Sequence, residues 1–448
     1  MKNRITKEVK ELENIAQFLL DLCKKKNVDQ SEVDIAKSTG LEVSVCNGEP
    51  EQINFNKSRV VSLAVFKNGH TGQASSSDLS EAALIKTVEA AVDMASYTEF
   101  DPAQGLGSKE LMLDENIDLD MLHPVEPNTN FALKESIDLE KACLSRNNPQ
   151  IEIKDAAYSN QYGASVYANS HDVLLHSTFS AFSKYIHVIS NVNGKLNHGI
   201  SVSSNCNNNL LDTNDYMANR AITKSLELVG ARKIPTGNFP VIFRENVAAA
   251  VFNSFLSAIS GNSQFRKTTY LPDILGKQVM PEFINIYDNP LIKGKLYSCA
   301  YDGNGIRTKE HSLIKNGFVQ NYRLSVYTAR KLGMQPIGNN YGRTNRFVED
   351  INSKDLGYED LIKKMDKGII IVSLMGQGSN AVTGDFSFGF SGFWVENGEI
   401  QYPINEMTVA GNFKDLYQNI IAIANDSDPR KSCQVGSILV NNLKIAGI

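Results

Sequence analysis

The 448-residue sequence lacks paired cysteines: Cys23, Cys46, Cys143, Cys206, Cys299 and Cys433 lie far apart, with no C-x-x-C among them. That spacing excludes a zinc knuckle and a disulfide framework, and it is the pattern of a reduced, intracellular chain. Long hydrophobic runs are missing too. Nothing approaches the roughly 18 apolar residues of a membrane span, and the longest apolar stretches, such as Gly368–Val372, are bounded by charges and glycines. Met1–Glu13 holds no apolar region of the signal-peptide kind. A cytoplasmic protein without membrane association is therefore expected. Nor is there an excess of positive charge. Lys and Arg number 45 against 50 Asp and Glu, a net charge of −5, so a face for nucleic-acid phosphates is not expected. The densest basic run, Lys24-Lys25-Lys26, ends a helix, where the dipole favours cations.

Catalytic signatures are equally scarce. No H-E-x-x-H places two zinc ligands and a base on one helix. Of the seven histidines, the closest pair, His171 and His176, would fall on opposite faces of a strand. Ile369–Met375 followed by Gly376-Gln377-Gly378-Ser379-Asn380-Ala381 imitates a dinucleotide fingerprint. The required helix does not follow, because glycines and aromatics alternate through Phe393, and the nucleotide reading fails. Gly389-Phe390-Ser391-Gly392 has the wrong spacing for a serine nucleophile elbow. Asp302-Gly303-Asn304-Gly305 lacks the further ligands of a calcium loop and reads as a turn, and Arg266-Lys267 reads as a solvated pair.

What is present is an ordinary globular composition, 42% hydrophobic and 21% charged, in a chain long enough for two or three domains. Ile5, Val9, Leu12, Ala16, Leu19 and Cys23 recur at helical steps and predict a first helix. Alternating segments follow at Leu41–Val45 and Val60–Phe66. A second helix is predicted from Asp78, with Glu81 as capping-box partner. Six Asn-Gly pairs, among them Asn47-Gly48, Asn68-Gly69 and Asn193-Gly194, suit two-residue hairpins. The expected class is α+β with mainly antiparallel sheets and flanking helices. Residues 1–100 would form an N-terminal α+β domain, 101–232 a linker and a central strand-rich domain, and 233–448 a C-terminal β-rich domain. Gly376, Gly378, Gly384, Gly389 and Gly392 leave much backbone bare, which suits either a tightly curved sheet or close approach by another chain.

The C-terminal half resembles the PmbA/TldE branch of the TldD/PmbA family, long labelled modulators of DNA gyrase. The resemblance rests on Phe265-Arg266-Lys267-Thr268-Thr269, Leu275-Gly276-Lys277-Gln278 and Tyr327–Gly333. It continues through Leu374–Gly378, Val382–Ser387, Gly392–Pro403, Ala410-Gly411-Asn412 and Lys444–Gly447. The N-terminal half agrees more loosely, through Asn54-Phe55-Asn56 and Gly72–Ser80. The resemblance implies a metallopeptidase of two related subunits that acts on unfolded peptides, antitoxins and peptide precursors. The TldD type carries H-E-x-x-x-H on a helix, with a later cysteine, and binds zinc; the PmbA/TldE type lacks the motif and pairs with TldD in a heterodimer. Here the corresponding helix, about Glu245–Ile259, contains no histidine, and Phe252, Asn253 and Ser257 stand at the motif positions. No catalytic or metal-binding residue is thus expected in this chain, and zinc is expected in a TldD-type partner, with a homodimer when the chain is alone. Gly376, Gln377, Gly378, Ser391, Gly392 and Phe393 are the candidates for holding an extended peptide on a sheet edge. On that reading valine at Gly378 or Gly392 would lower proteolysis and leave the chain folded. The alternatives are an autonomous metallopeptidase with a dispersed metal site and a regulatory protein acting on gyrase or DNA.

Overall fold

The computed structural model describes residues 1–376 and 378–447. The helical periodicity at the start of the chain becomes α1 (Lys2–Lys25), whose Ile5, Val9, Leu12, Ala16, Leu19 and Cys23 are all buried. They pack on an antiparallel sheet of β1 (Gln30–Cys46), β2 (Glu49–Lys67), β3 (His70–Ser76), β4 (Ile151–Asn169), β5 (Val173–Val192) and β6 (Lys195–Asn205). The strand order is β3-β2-β1-β4-β5-β6. Asn-Gly pairs make the β1–β2, β2–β3 and β5–β6 turns, and both residues of each take positive φ, for example Asn47 at 54° and Gly48 at 76°, as the type I′ turn demands. At Asn304-Gly305 only the glycine does so, with φ 72°, and that pair lies in a loop.

The sheet is two similar halves. Each runs helix, three strands, helix: α1-β1-β2-β3-α2, with α2 at Glu81–Ala95, and α3-β4-β5-β6-α4, with α3 at Thr129–Leu144 and α4 at Asn214–Leu226. In each half a glycine of the outer strand lets the closing helix come close. A Cβ on Gly72 would lie 1.8 Å from the Ala91 carbonyl oxygen, and one on Gly199 would lie 1.9 Å from that of Ala221. The α2 helix starts at Glu81, with Ser80 as N-cap. Asp78, the start suggested by the sequence, instead accepts the Ser80 backbone N–H at 2.9 Å and closes the preceding turn.

The halves meet where Glu32–Val45 pairs with Asn169–Ala156. This pairing crosses the boundary expected at residue 100, so the units 1–100 and 101–232 share one sheet. Each half alone would leave β1 or β4 as a long, bare edge, and pairing them removes both. The expected linker also has structure: Leu106, Leu113 and Leu119 are buried with Tyr167, Leu175, Ile306 and Val326. They fill the space between the uncovered face of the first sheet and the C-terminal half. The Arg330 guanidinium holds that segment by donating to the carbonyls of Ala103, Gln104 and Gly105, each at 3.1 Å.

The C-terminal half opens with β7 (Gly237–Phe243), α5 (Glu245–Ala258) and α6 (Gly261–Phe265). A sheet of β8 (Ile284–Asp288), β9 (His311–Lys315), β10 (Phe318–Val319), β11 (Arg346–Asp350) and β16 (Cys433–Gln434) follows, with α7 (Val326–Lys331) between its strands. The last sheet contains β12 (Gly368–Met375), β13 (Asp385–Glu396), β14 (Glu399–Asn412), β15 (Ile420–Ile423) and β17 (Ile438–Ala446), with α8 (Tyr358–Met365) and α9 (Phe413–Gln418) beside it. Its order is β14-β13-β12-β7-β17-β15, and β14 also pairs with β17. That extra pairing, Thr408–Ala410 against Ala446–Lys444, curls the sheet back on itself around a large core that includes Phe243, Phe252, Phe390 and Tyr417. The α+β class with mainly antiparallel sheets is the one found; among the described strands β7–β12 and β11–β16 pair in parallel. No helix of the described residues is long and apolar enough to cross a membrane.

Three carboxyls lie at the junction of the halves. Burial pushes Glu32 up to about 7, and it pushes Asp34 and Asp302 up to about 6; the Tyr167 hydroxyl donates to Glu32 at 3.0 Å. With folded pKa values above their unfolded ones, these groups hold protons more tightly when folded. Their stabilisation is complete below the ordinary carboxyl range and is lost as pH rises through about 6 to about 7. A Glu32→Gln chain should therefore lose less stability between about pH 5 and about pH 8, by on the order of 2 kcal/mol. Urea midpoints at the two pH values check this, and an unchanged slope would refute it.

Candidate functional site

Strand β7 feeds directly into α5 through Arg244, whose guanidinium grips the Glu227 carboxylate with two bonds of 2.8 and 2.9 Å. That fixes the start of α5 against α4. From there the helix divides by its own period. Val247, Ala248, Val251, Phe252, Phe255 and Leu256 are buried in the core, whereas Asn246, Asn253 and the small, also buried Ala249, three and four residues apart, line a cleft of about 440 Å³. Of the motif-equivalent positions, Phe252 is fully buried, its ring 6.2 Å from that of Tyr417. Asn253 is exposed and lines the cleft. Ser257 is exposed one turn further on, its hydroxyl donating to the Asn253 carbonyl at 3.0 Å.

The opposite walls come from Ile200 and Val202 of β6, Arg220 and Lys224 of α4, and the segment from Asp428 to Cys433. Burial disfavours the Asp428 carboxylate, but the bonds from Arg430 more than offset this and hold its pKa below the ordinary range. Those bonds are 2.7 Å from Nε and 3.1 Å from Nη2, and Arg220 approaches the same carboxylate at 3.5 Å. Burial raises the Cys433 thiol to about 11, so it stays protonated and is a poor ligand. A zinc ion needs imidazole, thiolate or free carboxylate donors. The α5 face offers two amides and an alanine, and the one carboxylate in the cleft is already bound by two arginines. These residues do not fit zinc, and among the described residues no group of three or more His, Cys, Asp and Glu could hold a metal.

The glycine-rich stretch divides into two parts. Strand β13 is interior: Ser391 pairs with Ser373, Gly392 with Ile371 and Ile404, and Phe393 with Ile370 and Pro403. All three residues are buried. They therefore do not form the exposed edge expected for peptide binding, and here the glycines serve a curved sheet. Gly376 and Gly378 lie in the connection between β12 and β13, where the Gly378 carbonyl accepts the Ser387 N–H at 2.6 Å. Gln377 lies outside the described residues. The open edge belongs to β12. Strand β7 pairs with it only through Ile369–Ile371, and Asn246 Nδ2 caps the Val372 carbonyl at 2.9 Å. Beyond that point Ser373–Met375 is paired on the β13 side alone, with no second strand among the described residues. Asn246 thus belongs both to the cleft and to the start of this free edge. The sequence signal for these cationic walls is Arg220 and Lys224, four apart on one helix face.

Comparison with known proteins adds to this geometry. Residues 236–447 match the PmbA/TldA metallopeptidase C-terminal domain, and residues 31–95 match PmbA/TldA metallopeptidase domain 1. Metalloprotease PmbA of Escherichia coli O157:H7 is 37% identical over 446 residues, covering 99% of this chain and 98% of that protein. A Bacteroides thetaiotaomicron structure named as a modulator of DNA gyrase superposes with a TM-score of 0.88 at 20% identity, over 97% of this chain and 98% of that one. TldE from Thermococcus kodakarensis gives 0.82 at 21% identity, over 97% and 99%. At such identities the two structures establish the shared fold.

Proposed function

The chain belongs to the PmbA/TldD metallopeptidase family, and from that premise we propose that it is a non-catalytic subunit that holds unfolded peptide for a zinc-bearing, TldD-type partner. The observation that carries this reading is the face of α5. Where the resemblance calls for H-E-x-x-x-H, the helix turns Asn246, Ala249 and Asn253 toward the cleft and buries Phe252 in the core. An amide neither ligates zinc as imidazole does nor takes a proton from water as a carboxylate does. The parts left to the chain are those of a holder. The free edge at Ser373–Met375 can add a strand of substrate through main-chain hydrogen bonds, beside a cleft with room for a few residues. The family includes proteins named TldD as well as TldE, which supports a paired assembly.

Hydrolysis of an unfolded peptide, measured for the chain alone and mixed with a TldD-type partner, tests the reading. Chelator-sensitive cleavage is expected only in the mixture, with zinc recovered from the partner. Chelator-sensitive cleavage and stoichiometric zinc in this chain alone would instead establish an autonomous peptidase.

A further inference from the structure

The cleft beside α5 carries more positive charge than its structure uses. Arg220, Lys224, Arg343, Arg430 and Lys431 line it, against the single carboxylate of Asp428. Arg430 is satisfied by Asp428 and by a close contact with Asp212, and Arg220 shares Asp428. Lys224 donates to the Ile200 carbonyl at 3.3 Å, and among the described residues Lys224, Arg343 and Lys431 have no carboxylate partner. Burial, reinforced by the charges of Arg220 and Arg244 and only partly opposed by those of Glu245 and Glu227, pulls Lys224 down to about 8, and burial lowers Lys431 against the opposing charges of Glu245 and Asp428. The folded protein therefore holds partly desolvated cations together at a cost that a bound anion would relieve. Ile200 and Val202, each about two-fifths exposed, add an apolar wall, and a cleft of about 440 Å³ accommodates a few residues and no folded domain.

We propose that this cleft is a carboxylate-binding site that captures the C-terminal or an acidic side-chain carboxylate of an extended peptide, with Lys224 and Lys431 as its principal cations. The inference rests on the peptide-holding reading above and names the group that is held. Asn246 gives it continuity: the residue that caps β12 at Val372 also lines the cleft. A peptide added along the free edge of β12 would thus run beside a basic recess.

The test is isothermal titration of the full chain with three short peptides of one neutral, extended sequence. One has a free C-terminus, one is the C-terminal amide, and one is the amide with a single internal aspartate. The free acid, the aspartate peptide or both should bind about tenfold more tightly than the neutral amide, the gain from one charge-assisted contact. Whichever does so identifies the source of the carboxylate. Lys224→Met and Lys431→Met should each reduce that preference several-fold with no loss of melting temperature, and Lys224→Arg should keep it. No preference for either acid, no binding by any of the peptides, or a preference unchanged in both methionine variants overturns the site. Tighter binding of inorganic phosphate than of either acidic peptide also overturns it and assigns the cleft to a phosphorylated ligand. Equal binding of acid and amide would remove the carboxylate site and leave peptide holding intact; that reading fails separately, in the partner assay.

Discussion

A Gly392→Val chain is expected to lose most of its folded population, and not merely its ability to support proteolysis. Gly392 sits in β13 between two paired neighbours. A Cβ there would lie 1.8 Å from the Ile370 carbonyl oxygen and 2.8 Å from the Ile370 carbonyl carbon. Both are backbone atoms of a buried strand, so no side chain can rotate away and the sheet itself must part. Ordinary overpacking costs about 1–3 kcal/mol, and valine here should exceed that range, against a total stability of about 5–15 kcal/mol. Urea unfolding followed by circular dichroism should show a large fall in midpoint or no folded baseline. Gly389→Ala is the internal control. Its Cβ would meet the Met375 Cβ at 3.5 Å, ordinary contact, and the variant should stay within about 0.5 kcal/mol of the parent. A Gly392→Val chain that kept the parent's midpoint while losing peptide binding would restore the strand-edge reading of residues 391–393.

Glycine shows why one part of the fold was legible in the sequence and another was not. In Asn-Gly, flanking β-prone segments and a strict two-residue turn give one physical solution, and the structure adopts it at every pair but Asn304-Gly305, down to Asn397-Gly398, where φ is 56° and 68°. In the stretch from Gly376 to Gly392 the missing side chain signals only that something comes close. Whether that is a neighbouring strand or a foreign one depends on register, which is set by residues tens of positions away. The helical stripe of α1 was readable because each of its contacts is announced within its own 24 residues. The joining of β1 to β4 was not, since the partners lie more than a hundred residues apart and neither segment bears a mark that names the other. The cleft was hidden for the same reason: its lysines, Lys224 and Lys431, come from opposite ends of the C-terminal half of the chain. Only the lack of histidine on α5 was a local fact, and that part of the site was visible at once.

The second large effect is expected at Asp288, in the layer behind the cleft, where its partner Arg346 pairs with the cleft residue Cys433. This aspartate at the end of β8 is fully buried, and the Arg346 guanidinium beside it on β11 is 3% exposed. Their approach, Nε to Oδ1, is 3.1 Å, close in distance but too oblique for a hydrogen bond, which leaves both atoms without one. The Tyr341 hydroxyl donates to the other carboxylate oxygen at 3.0 Å, and His311 Nε2 lies 3.7 Å from it. Arg323 is near enough for burial and the Arg346 charge to pull its pKa down to about 10, with Asp288 opposing. One buried carboxylate therefore faces two guanidiniums. Asp288→Ala should cost about 3–5 kcal/mol, because it leaves buried cations uncompensated. Asp288→Asn, which keeps the shape and an acceptor, should cost less. The discriminating measurement is a double-mutant cycle with Arg346→Met. If the charge imbalance is the cause, removing both partners should recover a substantial part of the loss, since buried pairs replaced together by apolar groups are often tolerated. If the losses simply add, the cost lies in packing at the β8–β11 junction and the electrostatic account is wrong.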